Sequence, residues 1–109
     1  MNDINPSELA ERLRLAWEDW AIKNGEAEAQ EEACKRLHAQ IMLECGNIPV
    51  SKAKVHADID DRYHAAVSKR IKAGVEANKA RGLRDAMAVM IDLIRSVESS
   101  KRAELQRLR

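Results

Sequence analysis

The sequence predicts an all-α chain: a long antiparallel helical hairpin of coiled-coil character with a short helix at the bend. Three observations carry this. Residues 59–108 hold no proline and only two glycines, Gly74 and Gly82. Ala, Glu, Lys, Leu and Arg supply 56 of the 109 residues, a composition typical of long helices rather than mixed folds. Apolar residues also recur at alternating steps of three and four, which lays a stripe along one helical face. Phe is absent, with one Tyr and two Trp, so strand-forming aromatics are scarce.

A single helical domain is expected over 1–109. Helix one is expected over 6–45. Asn5 can cap it, Pro6 suits the first helical position, and Glu8 stands where a capping-box acid reaches back. Leu9, Leu13, Ala16, Trp20, Lys23, Ala27, Gln30, Cys34, Leu37 and Ile41 keep one heptad register. Asn24-Gly25 is a turn signal, but the register survives across it, which favours one helix. Gly46 is placed to stop that helix, and Pro49 prevents continuation.

Ser51 is expected to cap a short helix over 51–57, and Asp58 or Asp60 to start helix two over 59–106. On helix two, Ile59, Ala66, Ala73, Ala80, Met87 and Ile94 fall seven apart, with Leu83, Met90 and Val97 as companions. A second stripe, Tyr63, Val67, Ile71 and Val75, steps by four and drifts round the helix. Helix two can break near Gly82 or run on and meet different partners with its two halves. No cap restarts a helix after Gly82, which favours the continuous form.

Net charge is +1, but it is unevenly spread. Residues 1–48 hold five Lys/Arg against ten Asp/Glu, a net −5; residues 49–109 hold fourteen against eight, a net +6. Opposite signs favour pairing the two halves and leave helix two a basic outer face. An Ala-rich core buries little area per residue, so homo-oligomerisation is expected. No apolar run reaches the ~20 residues that span a bilayer. The acidic start lacks the pattern of a signal peptide, and two cysteines without disulfide-like spacing suit a reducing, cytoplasmic setting.

Chemistry-bearing residues are few. Cys34, His38 and Cys45 share one face of helix one, and His56 or His64 could complete a zinc set. No paired metal-ligand motif is present, so core packing accounts for these residues better, and no metal or cofactor is expected. Asp58, Asp60 and Asp61 near His64 lack a nucleophile and an oxyanion donor; helix capping is the simpler role, and no enzymatic activity is expected. Trp17 and Trp20 lie one turn apart, Trp20 on the seam and Trp17 beside it. Both suit buried packing, and both are the candidate protein-binding residues, because Trp is enriched at interface hot spots.

Lys69, Arg70, Lys72, Lys79, Arg81 and Arg84 form a basic run on helix two, the candidate nucleic-acid contact. The run contains no aromatic for base stacking, so a solvated face facing helix-one acids accounts for it more simply. Met42 to Val55 faintly follows a helix-turn-helix order, but its second helix is short and its turn holds Pro49.

The stretch Val75-Glu76-Ala77-Asn78-Lys79-Ala80-Arg81, with Ile94-Arg95-Ser96 and Arg102-Ala103-Glu104, resembles small α-helical accessory proteins of phage and prophage genomes, often encoded near recombination or replication genes. The likeness covers the C-terminal part and is compositional. It implies a protein that binds a host or phage protein, or assists DNA processing, without chemistry of its own. It transfers no residue roles.

Overall fold

The computed structural model describes residues 5–108, and these form three helices in the order α1 (Pro6–Glu44), α2 (Val50–Ile59) and α3 (Asp61–Arg107). The described residues contain no strand. Asn5 caps α1: its side-chain oxygen accepts the Ser7 N–H at 2.9 Å, and its carbonyl accepts from Glu8 and Leu9. α1 runs unbroken through Asn24-Gly25, and α3 runs unbroken through Gly82. Propagation along a helix costs little once nucleated, so a lone glycine weakens it without ending it.

The stop at Gly46 has a clear physical basis. Its φ is +74°, a left-handed conformation closed to most side chains, and its N–H bonds the Leu43 carbonyl at 3.2 Å. The short helix departs from the expected start at Ser51. Pro49 is its N-cap residue, with φ −57° and ψ 143°, and the Pro49 carbonyl accepts from Lys52 and Ala53. Proline's ring fixes φ where the first turn needs it, so no side-chain cap is involved.

Asp60 separates α2 from α3. Its backbone is extended, and its carboxylate accepts the Arg62 N–H at 2.8 Å, opening α3. Ile59 is therefore the last residue of α2, largely exposed, and not the first of helix two's stripe. Asp58 caps nothing; its carboxylate is turned to His38 instead.

The chain forms two compact units. One comprises Met1–Trp20 with Lys79–Arg109, the other Ala21–Asn78. In the first, Leu9, Ala16, Ala80 and Ile91 are buried, and Leu13, Trp20, Arg84, Met87 and Ile94 are half-buried. In the second, Cys34, Ile41, Ala53, Ala57 and Ala77 are buried, with Ala27, Leu37, Tyr63, Ala66, Arg70 and Ala73 partly so. Ala57 is 0% exposed. Its methyl is fully covered, so α2 packs closely at that point.

All ten heptad positions expected on α1 are buried or half-buried. On α3 only half of the expected seam faces inward. Ala66, Ala73, Ala80, Met87 and Ile94 do, whereas their companions are Tyr63, Arg70 and Ala77 in one unit and Arg84 and Ile91 in the other. Leu83, Met90 and Val97, expected as companions, are more than half exposed. Two of the true companions are arginines, which an apolar count passes over. Of the drifting stripe, Tyr63 and Val67 are half-buried and Ile71 and Val75 exposed.

Candidate functional site

Trp17 and Trp20 stand one turn apart on α1, both in the first unit, and their rings meet edge to face with centroids 5.8 Å apart at 87°. Into the angle between them α3 sends Arg84. Its guanidinium carbon lies 4.1 Å from the Trp17 ring centre and 4.4 Å from that of Trp20. Asp85 steadies the fork, accepting from Nε at 3.0 Å with a second nitrogen at 2.9 Å. The Arg84 side chain is only 12% exposed. A cation over an indole face gains about 0.5–1 kcal/mol at exposed sites and about 2 when desolvated, so this arrangement orders the Trp17 ring. Even so, Trp17 remains 50% exposed. The result is a large aromatic surface held in place yet facing solvent.

Beside the box lies a groove of about 550 Å³. Leu9, Leu13 and Trp17 of α1 and Ile91 and Ile94 of α3 supply its apolar walls. Arg14, Asp92, Arg95 and Glu98 stand round them with both signs of charge. Arg14 is anchored by Glu11 at 2.6 and 3.0 Å and by Glu18 at 3.1 Å. The Glu11 carboxyl is held below its usual value by that bond. A helix from another chain, or a ridge of apolar side chains, matches this shape chemically.

The second unit holds a different cluster. His38 Nε2 lies 2.7 Å from an Asp58 oxygen, and the His38 ring meets Tyr63 at 4.8 Å. Arg62 holds Glu44 through two nitrogens, at 2.7 and 3.3 Å, and also bonds Asp60. Those bonds from Arg62 keep the carboxyls of Glu44 and Asp60 below their usual values. The arginine's own pKa rises, first through Glu44 and then Asp60.

The sulfurs take ordinary packing roles. Cys34 is 1% exposed, and the Cys45 thiol donates to the Ile41 carbonyl at 3.3 Å. His56 and His64 are exposed. No group of three His, Cys, Asp or Glu among the described residues is placed to hold a metal ion.

The basic run divides between the units and differs in exposure. Lys69 and Lys72 are exposed in one unit, while Arg70 is half-buried there beside Cys34 and His38. Lys79 and Arg81 are exposed in the other unit, where Arg84 is drawn into the tryptophan box. Sequence reasoning placed Trp17 and Trp20 but missed Arg84 as their complement. The only available signal was its heptad distance of seven from Ala77 and Ile91. No helix is long and apolar enough to cross a membrane among the described residues. No family model, no curated protein and no solved structure matches this chain.

Proposed function

We propose that the chain is a non-enzymatic helical interaction module, a coiled-coil-like hairpin with a short helix at its bend. It self-associates and presents Trp17 with the adjoining groove to a protein partner in the cytoplasm. The observation that carries this is Trp17, half exposed and fixed by Arg84 at the edge of an apolar groove. Apolar centre, charged rim and an ordered aromatic form the anatomy of a protein interface. Ordering the ring before binding lowers the entropy lost on binding. The resemblance of the C-terminal part supports an accessory role of the phage or prophage kind, with a host or phage protein as partner.

Affinity capture from the native host, repeated after nuclease treatment, tests this reading. Trp17→Ala with unchanged helicity is expected to lose the captured protein, weakening binding by about thirtyfold, or roughly 2 kcal/mol. Undiminished capture would remove Trp17 from the interface.

Exposed Lys69, Lys72, Lys79 and Arg81 support a second reading, nucleic-acid contact in recombination or replication. A mobility-shift titration at two salt concentrations separates the two. Binding that fades steeply with salt favours nucleic acid, and no shift at low salt dismisses it.

A further inference from the structure

Among the described lysines and arginines, three are half-buried: Lys23, Arg70 and Arg84. Lys23 has a partner within the chain, and Arg84 has Asp85 and two indoles. Arg70 has no hydrogen bond, ion pair or ring contact with any described residue. A guanidinium keeps its charge at any working pH, and drawing it partly out of water without a counter-charge is unfavourable. Arg70 lines a recess of about 290 Å³ in the second unit, to which all three helices contribute. Lys35 and His38 come from α1, Lys54 and Asp58 from α2, and Tyr63 with Arg70 from α3. Lys54 likewise has no partner among the described residues. Lys35 stands 3.8 Å from both Glu31 and Glu32, beyond hydrogen-bond length. Asp58, the one carboxylate on the wall, is engaged by His38 at 2.7 Å.

We propose that this recess binds a dianionic phosphate group, free or carried by a small phosphate monoester. Lys35, Lys54 and Arg70 set three positive charges against the one negative charge of Asp58, a surplus of two. A phosphate monoester brings about −1.5 to −2 at pH 7 and offsets that surplus. A carboxylate or a phosphodiester brings a single charge and leaves half of it standing. The planar fork of an arginine donates to two phosphate oxygens side by side, while a lysine adds a point charge. The Tyr63 hydroxyl is a further donor from the same wall. The volume lies at the lower edge of the ~300–1,000 Å³ usual for small-molecule sites, room for a phosphate with a small substituent. Binding here uses no residue of the Trp17 groove, so this site and the proposed partner surface stand or fall separately.

Tyr63 is the chain's one tyrosine, so its ring signals in proton NMR of the full chain are unambiguous. Titration with phenyl phosphate is expected to shift them saturably at millimolar concentration. The indole signals of Trp17 and Trp20, which belong to the other unit, are expected to stay in place. Inorganic phosphate is titrated in parallel. Equal or tighter binding of the inorganic ion assigns free phosphate, tighter binding of phenyl phosphate assigns an ester, and either result supports the site. Arg70→Gln, with helicity unchanged, is expected to weaken binding about tenfold or more. Lys54→Gln, at an exposed position that folding does not depend on, is expected to weaken it about threefold to tenfold. Lys69→Gln, next to Arg70 but outside the recess, is expected to leave binding unchanged. The proposal is overturned if neither phosphate saturates, or if benzyl alcohol, a ring without phosphate, shifts Tyr63 equally. It is also overturned if Lys54→Gln binds as tightly as wild type, or if Lys69→Gln weakens binding as much as Lys54→Gln.

Discussion

Arg84→Ala tests the tryptophan box most directly. The guanidinium sits 4.1 and 4.4 Å from two indole centres, and the side chain is largely withdrawn from water. Each cation–π contact is worth about 1 kcal/mol in this half-exposed setting. Losing the packed methylene stem adds close to another 1 kcal/mol, at ~0.8 per buried CH₂. Asp85, mostly exposed, loses a partner at little cost. The expected destabilisation is therefore about 2–3 kcal/mol. Arg81→Ala, three residues earlier on an exposed position, is expected within about 0.5 kcal/mol of wild type. Urea unfolding measures both, followed by helical dichroism and by tryptophan fluorescence, since the chain's two tryptophans both lie in the box. Arg84→Lys is expected to fall between them, as an ammonium cannot lie flat against two rings. Equal stability of the Arg84→Ala and Arg81→Ala variants would refute the box as a structural device.

Gly25→Ala is expected to stabilise the chain by about 1 kcal/mol in the same assay, because Gly25 lies inside α1 with open space where a Cβ would stand. Gly46→Ala is expected to lose about 1–2 kcal/mol, since its φ of +74° strains any side chain; a reversal of the two signs would mean that α1 breaks at Asn24-Gly25. Glu44 and Asp60 have depressed pKa values in the folded chain, so their contribution is present above the unfolded-chain value near pH ~4 and is lost as pH falls through their lower folded values. Arg62→Gln is accordingly expected to flatten the acid side of a melting-temperature-against-pH curve, and an unchanged slope would discount those bonds.

Element order and the register of α1 were legible from residue spacing. Asn5, Pro6 and Gly46 act locally, through hydrogen bonds and φ preferences that neighbouring residues alone determine. The α1 register was legible too, because Leu9, Leu13, Ala16, Cys34 and Ile41 carry the apolar signal at the positions that are buried.

On α3 the same rule identified only half of the seam. Leu83, Met90 and Val97 carry the stronger apolar pattern yet face outward, while Arg70 and Arg84 occupy seam positions. Hydropathy records what exposure costs a side chain, not which neighbour will cover it. Arg84 becomes an inward-facing residue only when two indoles on another helix stand ready to receive its charge. Composition and spacing by themselves thus determined that the chain is helical and where α1 starts and stops, whereas the junction of α2 and α3 at Asp60 departs from the expected one. Tertiary structure alone decided which face of α3 turns inward, because that choice depends on partners distant in the chain.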